Sequence, residues 1–171
     1  MRKLIPILIV LITQISCNNH FKLVKAKLTN NVGKDSSFQD YRIKNNELLD
    51  LKFCLENYHY PPRLSKNIFW IKPDTIGYSS LQKENIAFKY KFDDKGKVTM
   101  YFYQGSMISG IFPLPYFFQY NQNNPELIEN IIDEFYKIKY RIEYDELKNV
   151  RSIEKLDSLN KRIEVLTIEI K

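Results

Sequence analysis

The sequence predicts a mainly β protein in which antiparallel hairpins form a meander within one domain, with one or two short helices. Three observations support this fold class. Apolar and polar residues alternate in several segments, turn-forming residues separate those segments, and only two cysteines occur in 171 residues. Because successive side chains of a strand point to opposite faces, such alternation is typical of strands with one buried face. With so few cysteines, a hydrophobic core rather than a set of disulfides must stabilise the domain.

The N-terminal segment has the composition of a secretory signal. Arg2 and Lys3 precede an apolar run over residues 4–12, which is shorter than the roughly 20 residues that a membrane-spanning helix needs. Residues 1–16 are therefore predicted to be a signal peptide that is removed.

The end of this segment, TQISC, resembles a bacterial lipobox, in which a small residue precedes a cysteine that is acylated and becomes the new N-terminus. Ser16 occupies the small-residue position and Cys17 the acylated position. The resemblance implies that Cys17 carries lipid and holds the protein to a membrane of the bacterial cell envelope, at the periplasmic face or at the cell surface. Durable anchoring needs more than one acyl chain, and a multiply acylated cysteine supplies them.

The segment after Cys17 is polar and rich in lysine, and TNNVGKDSS is its least patterned part. This composition favours a flexible tether. Residues 17–38 are therefore predicted to be the lipidated cysteine and its tether, and residues 39–171 a single β-rich domain. Within the tether, HFKLVKAKLT alternates weakly, as an edge strand does, and Gly33 is expected to have no constrained conformation.

The clearest hairpin lies in IAFKYKFDDKGKVTMYFYQG. Phe88, Tyr90 and Phe92 alternate with lysines before the turn, and DDKGK supplies the turn residues. The pattern places Gly96 at a positive φ angle. The two aspartates of this turn are interpreted as solvated turn residues rather than as a catalytic acid pair.

Similar units follow this hairpin, each with an apolar residue, an Asp or Asn, a short polar turn and an aliphatic residue. The residues before the turns are Phe92, Tyr120, Tyr144 and Leu156. These units, YDELKNVRSI most clearly, resemble the aromatic-Asp (YD) repeats of Rhs-like proteins and of many small lipoproteins of Bacteroidetes-type bacteria. The resemblance covers residues 86–170 and implies a succession of β-hairpins.

A helical alternative exists for the C-terminal third. Leu127, Ile131 and Phe135 fall at helical spacing after NNP, and residues 156–170 contain a heptad-like series. This alternative predicts an α+β protein with C-terminal helices, of which residues 126–136 are the best candidate. Strands are favoured because KIKYRIEY and TIEI alternate and contain β-branched and aromatic residues. Upstream, NNELLDLKFCLENYHYPPRL is compatible with a short helix or with a pair of strands.

No catalytic, metal-binding or nucleotide-binding motif stands out, and no cofactor is predicted. The two histidines, His20 and His59, support neither a two-histidine metal site nor a catalytic triad. His59 is predicted to be a half-buried structural residue, and Cys54, among the apolar residues of LKFCLEN, a buried and inert thiol. Removal of the signal lowers the formal net charge from +6 to +4, which is too balanced for a dedicated nucleic-acid binder.

Aromatic residues are the best candidates for binding. In a strand, alternate rings of IFPLPYFFQY point to opposite faces, so one set builds the core and the other set is left outside. Trp70, in the predicted strand NIFWIKPDT, together with Tyr116 and Phe118 forms the predicted binding set, for a protein or carbohydrate partner. Burial of both faces of the aromatic strand is the alternative.

Together these features predict a lipid-anchored cell-envelope protein with a binding or structural role. A toxin-immunity or inhibitor lipoprotein of the same size is the first alternative. A hydrolase that acts on envelope polymers is the second, although no catalytic motif supports it.

Overall fold

Strands dominate the computed structural model, which describes residues 21–64, 78–83, 86–104 and 114–171. In chain order the strands are β1 (Phe21–Asn30), β2 (Asp35–Ser37), β3 (Tyr41–Lys44), β4 (Tyr78–Lys83), β5 (Ile86–Phe92), β6 (Val98–Gln104), β7 (Leu114–Tyr120), β8 (Ile128–Asp133), β9 (Ile138–Tyr144), β10 (Val150–Leu156) and β11 (Arg162–Ile170). Within these ranges there is one helix, α1 (Leu51–Asn57), which lies between β3 and β4. The ambiguous stretch NNELLDLKFCLENYHYPPRL therefore contains a short helix rather than a pair of strands.

The described strands pair into one antiparallel sheet. Strands β4 to β11 follow one another as a meander, β1 pairs with β11, and the other edge of β1 pairs with β2 and β3. This arrangement confirms the predicted antiparallel meander with a short helix. The helical alternative is wrong for residues 126–136 and for the C-terminus, where β8 and β11 form instead. Their β-branched residues give each strand a buried row, which outweighs the helical spacing of the same residues.

The first strand, β1, occupies a segment that the sequence predicts as tether. Its residues 24–30 pair with β11, and Val24 and Ala26 are buried. The prediction of a flexible tether over residues 17–38 is therefore wrong for its described part, residues 21–38, and β1 is not an edge strand because it is paired on both sides. Lysines alternate with its apolar residues because only one face of the strand is covered.

The turns define two ends of the sheet. The β5–β6, β7–β8 and β9–β10 turns lie at one end, together with the start of β1 and the last residues of β11, since Val24 pairs with Ile170. This end is called the N-terminal end. The β8–β9 and β10–β11 turns lie at the opposite end, together with the β1–β2 turn, since Asn30 pairs with Glu164. This end is called the far end.

Four of the turns share one hydrogen-bonding pattern. In each turn the first side chain, an Asp or Asn, accepts bonds from the backbone N–H groups two and four residues later, at 2.8–3.1 Å. The residue three positions after it has a positive φ, between 59 and 76°. The first residues are Asn30, Asp93, Asp145 and Asp157, and the positive-φ residues are Gly33, Gly96, Lys148 and Asn160.

Replacing Gly96 with valine should destabilise the domain. Gly96 has φ +76°, and a β-branched side chain in the left-handed region costs about 1–2 kcal/mol. For a domain of this size each kcal/mol corresponds to about 2–4 °C in melting temperature, which thermal denaturation resolves. Lys95→Val in the same turn is the matched control, because Lys95 is exposed and is not among the positive-φ residues. Equal melting temperatures for the two variants would contradict this account of the turn.

The expectation that Gly33 is unconstrained is wrong. Gly33 has the same φ, +76°, at the same position of the β1–β2 turn, although no atom lies within 4 Å of the site of an added Cβ. The strain there comes from the backbone alone. Gly33→Val is therefore expected to lower the melting temperature as Gly96→Val does, rather than to be neutral.

The core consists of the buried residues of α1 and of one face of the sheet, which form a single cluster. The Asp50 side chain caps the helix by accepting a hydrogen bond from the Phe53 backbone N–H at 2.9 Å. The helix buries Leu51, Cys54 and Leu55. Alternate residues of the strands complete the core, and they include Val24, Tyr90, Tyr101, Tyr116, Ile131, Tyr140, Ile153 and Leu166.

One buried side chain, Asn149, joins the β9–β10 turn to the loop before α1. Its Nδ2 donates to Asp145 Oδ2 at 2.9 Å, and its Oδ1 accepts the backbone N–H of Leu49 at 3.0 Å. The Val150 backbone N–H in turn donates to the Leu49 carbonyl. Burial alone would raise the pKa of Asp145, but hydrogen bonds from Asn149 and Leu147 outweigh it, so the pKa is lowered.

Candidate functional site

The aromatic strand β7 divides its rings between the two faces of the sheet. Tyr116 and Phe118 point into the core and are only 1% and 6% exposed, whereas Phe117 between them points outward and is 38% exposed. The two predicted binding residues of this strand are therefore core residues, and the exposed ring is the one that the prediction left out. Trp70 and the predicted strand NIFWIKPDT lie outside the described residues.

Phe117 belongs to a narrow row of side chains that crosses the outer face of the sheet. Paired residues place Lys91, Met100, Phe117, Ile132 and Lys139 side by side on five successive strands. The two apolar neighbours of Phe117 are each partly covered, and a lysine follows on either side. A single exposed ring in such a row is ordinary for a protein surface.

A more exposed aromatic pair lies at the far end of the sheet, in the β8–β9 turn. Asp133 ends β8, and its Oδ1 accepts the Tyr136 backbone N–H at 3.0 Å. This bond shapes the turn, which closes through Lys137 at φ +54°. Phe135 and Tyr136 are 48% and 45% exposed, and their ring centroids lie 4.8 Å apart in an edge-to-face arrangement. The turn therefore presents two adjacent rings to solvent.

Arg63 approaches this pair from the segment after α1. Tyr60 fixes that segment, because its hydroxyl donates to Glu164 Oε1 at 3.1 Å and its ring packs against Tyr140 at 5.9 Å. The Arg63 guanidinium carbon then lies 4.0 Å from the centre of the Tyr136 ring, a cation–π contact. Burial lowers the pKa of Arg63, but the interaction with Tyr136 outweighs it, so the group stays charged.

The turn with the aromatic pair follows directly on a buried residue of β8, Asp133. Asp133 is 1% exposed, and on the core side it pairs in register with Tyr116, which in turn pairs with Tyr101. Burial, and then the neighbouring Asp133 carboxylate, raises the pKa of Tyr116, so this phenol stays protonated. We call Arg63, Phe135 and Tyr136 the far-end cluster.

A groove on the outer face beside β1 is less suited to binding. It has a volume of about 540 Å³ and is lined mainly by polar residues, among them Lys25, Lys27 and Asp40. Lys25 pairs with Asp40 at 3.3 Å, and Lys27 pairs with Asp35 at 2.5 Å. Hydrogen bonds from Lys27 and Thr29 lower the pKa of Asp35. Because the lysines are already paired with carboxylates, the groove offers a charged ligand little net attraction.

Within the described part of the chain, Cys54 and His59 do not form a site together. Cys54 is buried as predicted, and burial raises the pKa of its thiol, which disfavours the reactive thiolate. His59 is exposed with φ +51°, so the prediction that it is half-buried is wrong. Within the described residues, no group of three or more His, Cys, Asp or Glu side chains is placed to hold a metal ion. In the same parts of the chain, no helix is long and apolar enough to cross a membrane.

The sequence-based predictions did not identify any member of the far-end cluster as a binding residue. One signal was present, because DEFYK places two adjacent aromatics inside a turn, where polar residues are usual. No protein-family model matches the chain, and no curated protein or solved structure matches it either. A functional interpretation therefore depends on the geometry of the far-end cluster and on the signal-like N-terminus.

Proposed function

We propose that this chain is a lipid-anchored protein of the bacterial cell envelope that binds a partner protein through the far-end cluster. The anchoring part of the proposal is supported by the lipobox-like TQISC sequence, which assigns the lipid to Cys17. The binding part is supported by one observation: the exposed Phe135–Tyr136 pair with Arg63 stacked on it.

The position of the cluster suits a partner that approaches from beyond the membrane. Cys17 precedes β1, and β1 starts at the N-terminal end of the sheet, whereas the far-end cluster lies at the opposite end. The 10 residues of β1 correspond to roughly 30 Å of strand length. An anchor at Cys17 would therefore hold the cluster away from the bilayer.

The chemistry of the cluster favours a protein over a carbohydrate. Tyrosine, phenylalanine and arginine are enriched at the centres of protein interfaces, where they carry much of the binding energy. A sugar ring would stack on an open aromatic face, but Arg63 already covers one face of Tyr136 at 4.0 Å. An inhibitor or toxin-immunity protein would use the same kind of surface, so the captured partner decides between these roles.

Capture of partners by the full-length chain from envelope extract tests the proposal. Tyr136→Ala should lower the recovery of a specific partner at least 10-fold, because truncation of an interface hot spot typically costs about 2 kcal/mol or more. Arg63→Ala should also lower the recovery of this partner. Tyr136 is 45% exposed, so the melting temperature should change little, which separates lost binding from lost folding.

Phe117→Ala is the matched control, because Phe117 is also a partly exposed ring but lies on the outer face of the sheet. It should leave recovery of the partner unchanged. If Phe117→Ala abolished capture while Tyr136→Ala did not, the binding site would lie on the outer face and the proposal would be wrong.

A further inference from the structure

The N-terminal end of the sheet exposes four large apolar side chains. Leu147 is 76% exposed, Phe21 54%, Leu48 44% and Ile170 40%. They come from four separate parts of the chain, so no local run of apolar residues reveals them in the sequence. Exposure alone does not set this end apart, because the far end also exposes Val32, Phe135, Tyr136 and Leu159. What the N-terminal end adds is its short distance along the chain from Cys17.

Backbone contacts bring these four residues to the same end of the sheet. Phe21 pairs with Lys44 across β1 and β3, and the Leu23 backbone N–H donates to the Lys171 carbonyl, next to Ile170. A turn joins Lys44 to Glu47, immediately before Leu48. The backbone N–H of the next residue, Leu49, donates a hydrogen bond to the Asn149 side chain. Asn149 is the last residue of the β9–β10 turn, which carries Leu147. The four residues therefore lie at the same end of the domain, with Ile170 on the core face of the sheet and Phe21 on the outer face.

Charged residues between the apolar ones are of both signs. The lysines are Lys22, Lys44, Lys148 and Lys171, and the acids are Glu47, Asp145 and Glu146. Lys148 and Lys171 each have a carboxylate at 3.9 Å, on Glu126 and Glu169. A mixed rim of this kind suits the zwitterionic and anionic headgroups of a bilayer, where long lysine side chains reach the polar layer while apolar neighbours enter the boundary below.

The number of residues between Cys17 and β1 limits how far the N-terminal end can lie from a membrane that holds Cys17. Four residues separate Cys17 from Phe21 in the sequence, and a fully extended chain advances at most about 3.6 Å per residue. Phe21 must then lie within about 14 Å of the Cys17 Cα. We propose that the N-terminal end docks directly on the membrane, with Leu147, Leu48, Phe21 and Ile170 at the lipid boundary; this inference rests on the proposed anchor at Cys17.

Two matched leucines allow a sharp test. Leu147 and Leu159 occupy the same position in turns of the same hydrogen-bonding pattern, at opposite ends of the sheet, and are 76% and 85% exposed. In the full acylated chain, Leu147→Cys and Leu159→Cys each receive an environment-sensitive fluorophore; Cys54 is fully buried and should not react. The chains are reconstituted into phosphatidylethanolamine–phosphatidylglycerol vesicles that contain lipids with a nitroxide quencher at the headgroup boundary.

Quenching at position 147 should exceed quenching at position 159 at least twofold. Equal quenching at the two positions would overturn the docking proposal, because the domain would then have no preferred orientation. Stronger quenching at position 159 would overturn it as well.

A second arm separates docking from acylation. The intact mass of each chain shows whether Cys17 carries lipid before the fluorescence is measured. If it does not, the anchoring proposal fails, and the same pair of variants is then tethered to a lipid through a click-reactive residue placed at position 17. Preferential quenching at position 147 in this arm would still support docking, and equal quenching would still contradict it.

Discussion

Replacing Cys17 with alanine should abolish acylation and release the protein from the membrane fraction. The cysteine sulfur is the attachment atom for the first lipid, and no other residue of TQISC offers a thiol. Each buried methylene of an acyl chain contributes about 0.8 kcal/mol to membrane binding, and several chains are needed for stable anchoring. Loss of the whole lipid group therefore removes nearly all of the binding energy.

Metabolic labelling with a fatty-acid analogue, followed by fractionation, measures this effect. The control is Cys54→Ala, which changes the other cysteine of the chain, a buried and free thiol. Label should be lost in Cys17→Ala and retained in Cys54→Ala. Equal labelling of wild type and Cys17→Ala would contradict the lipobox interpretation.

Replacing Asn149 with alanine should produce the largest loss of stability among single substitutions in the turns. The change leaves the Leu49 backbone N–H without its side-chain acceptor and removes the Nδ2 donor from Asp145. Leu49 is fully buried, so water does not replace the bond. An unsatisfied buried donor costs roughly 1–3 kcal/mol, and a lost bond to a charged group about as much again. Chemical denaturation should therefore show a loss of about 2–6 kcal/mol.

Lys161→Ala is the control, because Lys161 holds the same turn position after Asp157 but is exposed. It should cost less than about 0.5 kcal/mol. The cost of Asn149→Ala should also shrink in acid. The folded pKa of Asp145 lies below its ordinary value of 3.8, so its contribution is complete above that pH and is lost as the pH falls through the lowered value. Equal stabilities for the two variants at neutral pH would show that the link to Leu49 is not structural.

The sequence predicts the hairpins well because their signals are local. DDKGK and DELKN contain both the Asp that accepts the turn N–H groups and a residue at the positive-φ position, and the flanking alternation gives the strands directly. The tether prediction fails for the opposite reason. β1 pairs with β11 about 140 residues later in the chain, as Leu28 with Leu166 does, and a segment rich in lysine carries no local sign of such a partner.

The candidate site was less predictable than the fold. Alternation in β7 shows that neighbouring rings point to opposite faces, but not which set faces the core, and a shift of one residue exchanges Tyr116 and Phe118 with Phe117. The far-end cluster depends on a contact between Arg63 and Tyr136, which lie on separate segments joined only by the folded sheet. The four apolar residues of the N-terminal end are likewise gathered by pairing between distant strands.

The intact mass of the protein extracted from the membranes of a lipoprotein-processing bacterium tests the central claim most directly. The account predicts a chain that begins at Cys17 and carries the additional mass of more than one acyl group. A chain that begins at any other residue, or one in which Cys17 is unmodified, would contradict it.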